Sequence, residues 1–211
     1  MITKKDKKKN TEQDILKAAE NEFLDKGFVG AKTTEIARLA GVNHAMLHYY
    51  FRTKENLFDE IFKRKVKIMT KSVYEVMNTD LPFLDKLEYG IRKHFEFVLK
   101  NPKLPFFLLN EILRNETLSY WRTNYFIPNI AVLLDKLEVL IQEEVEKGNI
   151  RHIHAIDLIT DIISLNVFVV CFQPIIDGLT ERCGIGYEEY TARRCDENVM
   201  LIICLLYTSP S

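Results

Sequence analysis

The stretch Thr33 to Lys54, TTEIARLAGVNHAMLHYYFRTK, leaves this chain few ways to fold. Two short helical patterns meet at Gly41. Ile36, Ala37, Leu39 and Ala40 lie before it; Ala45, Met46, Leu47, Tyr50 and Phe51 lie after it. Ala37, Ala40 and Leu47 supply an apolar inner face at helical spacing. Gly41 can take the positive φ that a tight turn between helices needs, and Asn43 is the expected N-cap of the second helix. A connection this short permits only two helices packed at a steep angle. That is the helix-turn-helix arrangement, whose second helix enters the major groove of DNA.

The outer face of the second helix carries His44, Met46, His48 and Tyr49 rather than the Glu/Lys mixture of a solvated surface. Long polar and aromatic side chains suit base edges, thymine methyls and phosphates. Thr53 is the expected cap of the next helix, with Lys54 in its first turn. A Lys there opposes the helix dipole unless an anion sits beside it. Thr33 offers a second phosphate site at the start of the first helix. Thr34 and Ala45 lie close by these groups. The DNA-contacting set is therefore Thr33, Thr34, His44, Ala45, Met46, His48, Tyr49 and Lys54, with Leu47 turned to the core.

These residues closely resemble the DNA-binding domain of TetR-type transcriptional regulators. The resemblance rests on TTEIARLAGV, on LHYYF, on the following TKENLF and, upstream, on ILKAAENEFLDKGF, which looks like the family's first helix. It covers about the first third of the chain. The family often has Lys, Gly and Thr where this chain has His44, Ala45 and Met46, and Tyr where it has His48, so the operator sequence does not carry over. For the rest of the chain the resemblance implies middle helices around an effector pocket. It also implies two last long helices that pack against a second subunit as a four-helix bundle.

Charge follows the same division. Residues 1–65 hold 14 Lys and Arg against 10 Asp and Glu, while the remainder holds 15 against 20. A basic end joined to an acidic body suits one DNA-facing surface. At 211 residues the chain can form one large or two small domains. The N-terminus has no apolar secretory region, and no run reaches the ~18 apolar residues of a membrane span. Ile162 to Phe172, the longest, is broken by Ser164 and Asn166. Cys171, Cys183, Cys195 and Cys204 form no Cys-x-x-Cys pair and read as free thiols in a reducing cytosol. The expected location is cytoplasmic.

Taken in order, residues 1–10 read as a charged, disordered tail, either a basic arm toward DNA or a solvated terminus. Thr11 and Asp14 form a variant capping box. A helix follows to about Lys26, with Ile15, Ala18, Ala19 and Phe23 inward. Gly27 ends it, and Phe28 anchors the return. Residues 11–53 make the DNA-binding domain and 54–203 the effector-binding and dimerisation domain. One long helix runs from Lys54 to about Asn78 without Gly or Pro, so a stiff element joins the two. Further helices are expected over 82–100, 106–116, 128–147, 154–172 and 187–203. Trp121 to Phe126 serves as a connector, and Pro105, Pro174 and Gly178 act as breakers. The apolar 154–172 segment marks a buried helix or an interface helix. The last residues, 204–211, end in a Ser/Pro stretch that reads as a non-native scar. The fold class is all-α, with about nine helices.

No phosphate-binding Gly loop, Gly-x-Ser-x-Gly or His-Glu-x-x-His pattern is present, and no cofactor is implied. His152-x-His154 resembles half a metal site that Cys183 or Cys195 could complete, or simply capping and surface residues; no metal site is assigned. Effector candidates are polar or aromatic residues on apolar middle helices: His94, Asn110, Trp121, Tyr125, Asn166 and Gln173. The Phe content of residues 83–126 favours an apolar or aromatic effector. The sequence thus reads as a ligand-responsive repressor, not an enzyme, binding a palindromic operator as a homodimer. The alternatives are a protein-interaction adaptor with a degenerate helix-turn-helix and a small-molecule enzyme on the helical domain.

Overall fold

A computed structural model describes residues 4–114 and 122–207, all the elements being helical. Among these described residues ten α-helices follow in order: α1 Lys4–Gly30, α2 Thr33–Leu39, α3 His44–Phe51, α4 Lys54–Met77, α5 Phe83–Lys100, α6 Lys103–Arg114, α7 Ile127–Glu146, α8 Ala155–Cys171, α9 Gln173–Arg182 and α10 Tyr187–Tyr207. A π-helical turn, Arg122–Phe126, leads directly into α7. The chain divides into two compact units: residues 1–69 with 106–119, and residues 70–105 with 120–211.

The first unit is built on an aromatic core. Phe23 of α1 and Phe58 of α4 meet edge to face at 5.1 Å, Phe28 meets Phe58 at the same separation, and Phe107 of α6 lies 5.6 Å from Phe58. Ile15, Ala19, Ile36, Leu47, Leu57 and Phe62 close it, all nearly inaccessible. Gly27 breaks the helical dihedrals of α1 at φ 68°, which only glycine adopts cheaply. That break is what turns Phe28 back onto the core. The contact of Phe107 explains why this unit exceeds the expected 11–53 domain and takes in part of α6.

The N-terminal tail is a correction. Helix α1 already runs from Lys4, so Thr11 and Asp14 lie inside it and do not cap it. Lys, Glu and Gln are good helix formers, and extending an existing helix avoids the cost of nucleation.

The second unit has its main core where α5, α7, α8 and α10 bring together Leu87, Ile91, Ile141, Leu158, Ile162, Val199 and Ile202. A smaller cluster joins Phe95, Val169 and Ile176. Glu138 of α7 caps α8, its Oε2 accepting from the Ala155 amide at 2.6 Å. That bond, and after it the His154 side chain, holds the Glu138 carboxyl below the usual carboxylate range. Helix α7 ends at Gly148, φ 73°, where the Gly148 and Asn149 amides bond back to Val145 and Glu144.

Three punctuation residues do not break helices as expected. Pro105 sits in the first turn of α6 and Pro174 in that of α9, where the missing N–H has no helical partner to lose. Gly178 lies inside α9, which is the additional helix. The connector expected at 121–126 is the π-helical turn from Arg122 onward; Trp121 lies outside the described residues, as do 208–211. Helix α10 continues through Tyr207. Cys171, Cys183, Cys195 and Cys204 are free thiols. Among the described residues no single helix is long and apolar enough to cross a membrane. Helices α8 and α9 reach that composition only together, across a 72° bend.

Candidate nucleic-acid interface

Helices α2 and α3 are joined by a turn whose every bond is local. Gly41 has φ 66°. Its amide bonds the Arg38 carbonyl at 3.2 Å, and the Val42 amide bonds that of Ala37 at 3.0 Å. This pair of bonds satisfies the last carbonyls of α2 and fixes the exit direction of the chain. The Asn43 side chain accepts from the Met46 amide at 2.8 Å and caps α3. At the other end of α2 the carboxylate of Glu22, itself buried, accepts from the Lys32 amide at 3.3 Å and from Lys26 Nζ at 2.8 Å. An acid so placed favours the positive end of the α2 dipole.

Helix α3 is divided by exposure. Leu47 and Phe51 are buried, Leu47 to 1 % of its accessible surface. Ile36 and Ala37 of α2 are buried with them, whereas Ala40 is half-buried and Leu39 exposed. The opposite face presents His44, Ala45, Met46, His48 and Tyr49, all exposed, with Tyr49 at 70 %. His44 and His48 stack edge to face at 5.0 Å, one turn apart. His44 Nε2 also meets Thr33 Oγ1 at 3.0 Å, which ties the start of α3 to the start of α2. Thr34 is exposed beside Thr33.

The junction between α3 and α4 is strained. Arg52 has φ 58° and ψ −53°, and the Thr53 amide bonds the Phe51 carbonyl at 2.6 Å in a tight γ-turn. Thr53 Oγ1 accepts from the Asn56 amide at 3.1 Å, as its capping role requires. Lys54 Nζ donates to the Val29 carbonyl at 3.3 Å and lies 4.8 Å above the Phe28 ring. It is therefore held against the end of α1, next to the exposed Arg52. Glu22 and Arg52 are the residues that sequence reasoning missed. For Arg52 the signal was a cation directly after the recognition helix. Glu22 gave none, because a Glu on a helix reads as solvated.

Of the effector candidates, the structure brings two together. The Asn166 amide donates to His94 Nδ1 at 3.0 Å and to the Ile91 carbonyl at 3.1 Å, and Asn198 donates to Asn166 Oδ1 at 2.9 Å. Asn166 and Asn198 are wholly buried. Burial pushes the His94 pKa down to about 4. A neutral ring with its proton on Nε2 fits the acceptor role of Nδ1. Asn198, the member sequence reading missed, has its Oδ1 without a partner among the described residues, as do Asp177 Oδ1 and Tyr187 Oη. Gln173 is half-buried at the start of α9 and Tyr125 half-buried in the π-helical turn. Asn110 lies on α6 with its side chain outside the described residues, as is all of Trp121. The group that meets His152 and His154 is Glu138.

A capped, rigid helix with one face in the core and the other open, next to a tight glycine turn, defines a helix-turn-helix module. Residues 15–61 match the family model for bacterial regulatory proteins of the tetR family. The chain is 34% identical over 83 residues to the uncharacterized HTH-type transcriptional regulator YhgD of Bacillus subtilis (strain 168), a match covering 39% of this chain and 44% of that protein. It is 27% identical over 166 residues to the HTH-type transcriptional regulator RutR of Escherichia coli (strain K12), covering 79% and 76%. The transcriptional regulator FadR from Bacillus subtilis, solved in complex with stearoyl-CoA, has the same fold at a TM-score of 0.67. It shares 19% identity, and the match spans 93% of this chain and all of that one. The chain matches less than half the length of YhgD. Residues 15–61 thus carry a DNA-binding domain of the tetR type, and the chain has the fold of the solved regulator it resembles.

Proposed function

We propose that the chain is a transcriptional repressor that binds a palindromic operator as a homodimer and releases it in response to a small molecule. The observation that carries this reading is the division of α3. Leu47 and Phe51 anchor it, and His44, Met46, His48 and Tyr49 are presented outward from a backbone fixed by Asn43 and Gly41. His44, Met46, His48 and Tyr49 read bases and adjacent backbone, with Ala45 close by. Thr33, Thr34, Arg52 and Lys54 hold phosphates, which position the helix but carry no sequence information. The test is retention of the DNA flanking the protein's own gene across a salt series. Specific retention of one fragment, falling steeply as salt rises, supports the reading. Weak retention of every fragment alike overturns it in favour of an adaptor.

The dimer reading is supported by apolar side chains that the monomer leaves exposed: Ile156, Ile163 and Phe168 on α8, Met200 and Leu201 on α10. Patches of this kind rarely stay uncovered. Sedimentation at micromolar concentration should give twice the chain mass. The reading assigns no catalytic step, since turnover of a bound ligand would need a nucleophile or acid–base pair that no motif supplies.

The effector is taken to be apolar or aromatic, with His94 and Asn166 as its polar contacts. Helix α4 contributes residues to both compact units, so a ligand that favours one setting of α4 can change operator affinity. It must bind the two settings unequally to do so. FadR of Bacillus subtilis holds stearoyl-CoA, which makes a long-chain acyl-CoA the first probe. Operator affinity unchanged by acyl-CoA and by cell-extract fractions alike would remove the ligand-responsive part.

A further inference from the structure

We propose that Glu138, His152 and His154 form a binding site for one divalent transition-metal ion of the zinc type. The three ligand atoms lie within 4.8 Å of one another. His152 and His154 lie in the short segment that leads into α8, with His154 at the N-cap position. The two imidazoles pack edge to face at 4.8 Å between centroids.

Glu138 is fixed independently. Its Oε2 is held by the Ala155 amide at 2.6 Å, which leaves Oε1 aimed at His154 Nδ1 at 3.4 Å. That separation is at the long end for a hydrogen bond. It is close to the edge of a tetrahedron about zinc, about 3.3 Å for ligands roughly 2.05 Å from the ion. The exposed His152 ring completes the set, its ligand atom lying within 4.8 Å of the other two. The outer hydrogen bond from Ala155 to the carboxylate is the kind of support that orients a ligand before the ion arrives.

The donor set selects the ion. Two imidazoles and a carboxylate suit zinc, copper(II) or nickel, not the oxygen-only environment of calcium or magnesium, nor the thiolate set of copper(I). Three protein ligands leave a fourth position for water. A bound ion would clamp α7 to the segment that leads into α8. Sequence reasoning looked for a Cys partner and missed Glu138, because it is distant in sequence from the His pair.

The test uses the full chain stripped with chelator, dialysed against zinc chloride at about 10 μM free zinc, with metal per chain measured by mass spectrometry. Wild type should hold one zinc, and so should the Cys183→Ser, Cys195→Ser double variant and the His44→Ala, His48→Ala double variant. His152→Ala and Glu138→Gln should each bind at least tenfold more weakly, with circular dichroism melts confirming that both fold. Cobalt(II) in place of zinc should give four-coordinate visible bands without a thiolate charge-transfer band. Absence of uptake by wild type, or uptake unchanged in His152→Ala, would overturn the proposal. Operator retention by the zinc-free chain is scored separately, so failure of the metal site and failure of the DNA-binding reading are distinguishable.

Discussion

Acidification from pH 7 to pH 5 should weaken the second unit through one residue, His94. Burial lowers its pKa from the ordinary 6.5 to about 4. The folded chain therefore binds fewer protons than the unfolded chain between those two values. Stability is full above pH 6.5 and is lost as pH falls toward 4. Linkage with these two values gives a loss of about 2 kcal/mol between pH 7 and pH 5. The structure supplies the cause: protonating Nδ1 would set an N–H against the Asn166 amide N–H that now donates to it at 3.0 Å. Asn166 cannot turn away at no cost, because it also donates to Ile91 and accepts from Asn198. The assay is urea unfolding at pH 7 and pH 5, at fixed protein concentration, for wild type and His94→Gln. Glutamine stays neutral and can still accept from Asn166. The variant should lose about 2 kcal/mol less than wild type over this window. Equal losses in the two proteins would refute the assignment of the pH dependence to His94.

Leu47→Asp should unfold the first unit rather than merely weaken DNA binding, since it places a carboxylate at a site 1 % exposed at a cost on the order of 4 kcal/mol; a normal melt would contradict this. Asn43→Ala removes the cap on Met46 and should lower the denaturation free energy by about 1 kcal/mol, read from urea midpoints. Arg52→Ala and Lys54→Ala should each weaken binding to all DNA alike and reduce the slope of log affinity against log salt by about 1; a change in sequence preference would instead assign them to bases. Gly41→Ala meets no atom within 4 Å, so its effect should come from the positive φ alone, about 1 kcal/mol.

Much of the N-terminal unit was legible in the sequence because its signals are local. Gly41 and Gly27 are needed where φ is positive, Asn43 reaches only three residues ahead, and Leu47 shares a helical face with residues nearby. The all-α class and the long uninterrupted α4 follow from periodicity and from the absence of Gly and Pro. Signals that depend on position within a helix were harder. Pro105 and Pro174 look like breakers in a string of letters but are first-turn residues in space. The start of α1 was misplaced because a run of lysines reads as solvated tail until a helix beyond it is nucleated.

Contacts between distant segments were decided by tertiary structure alone. Glu22 reads as one more surface acid, yet it is buried against the Lys32 amide, because the turn at Gly27 brings the start of α2 back beside α1. Asn198 follows Asp196 and Glu197 and reads as one more polar surface residue, and its bond to Asn166 exists only once α8 and α10 pack. Glu138 and the two histidines are separated by the whole end of α7 and its glycine turn. Local chemistry fixes caps, turns and helix faces because their partners lie within a turn or two of chain. A buried polar network or a ligand cluster needs partners that only the fold brings within reach.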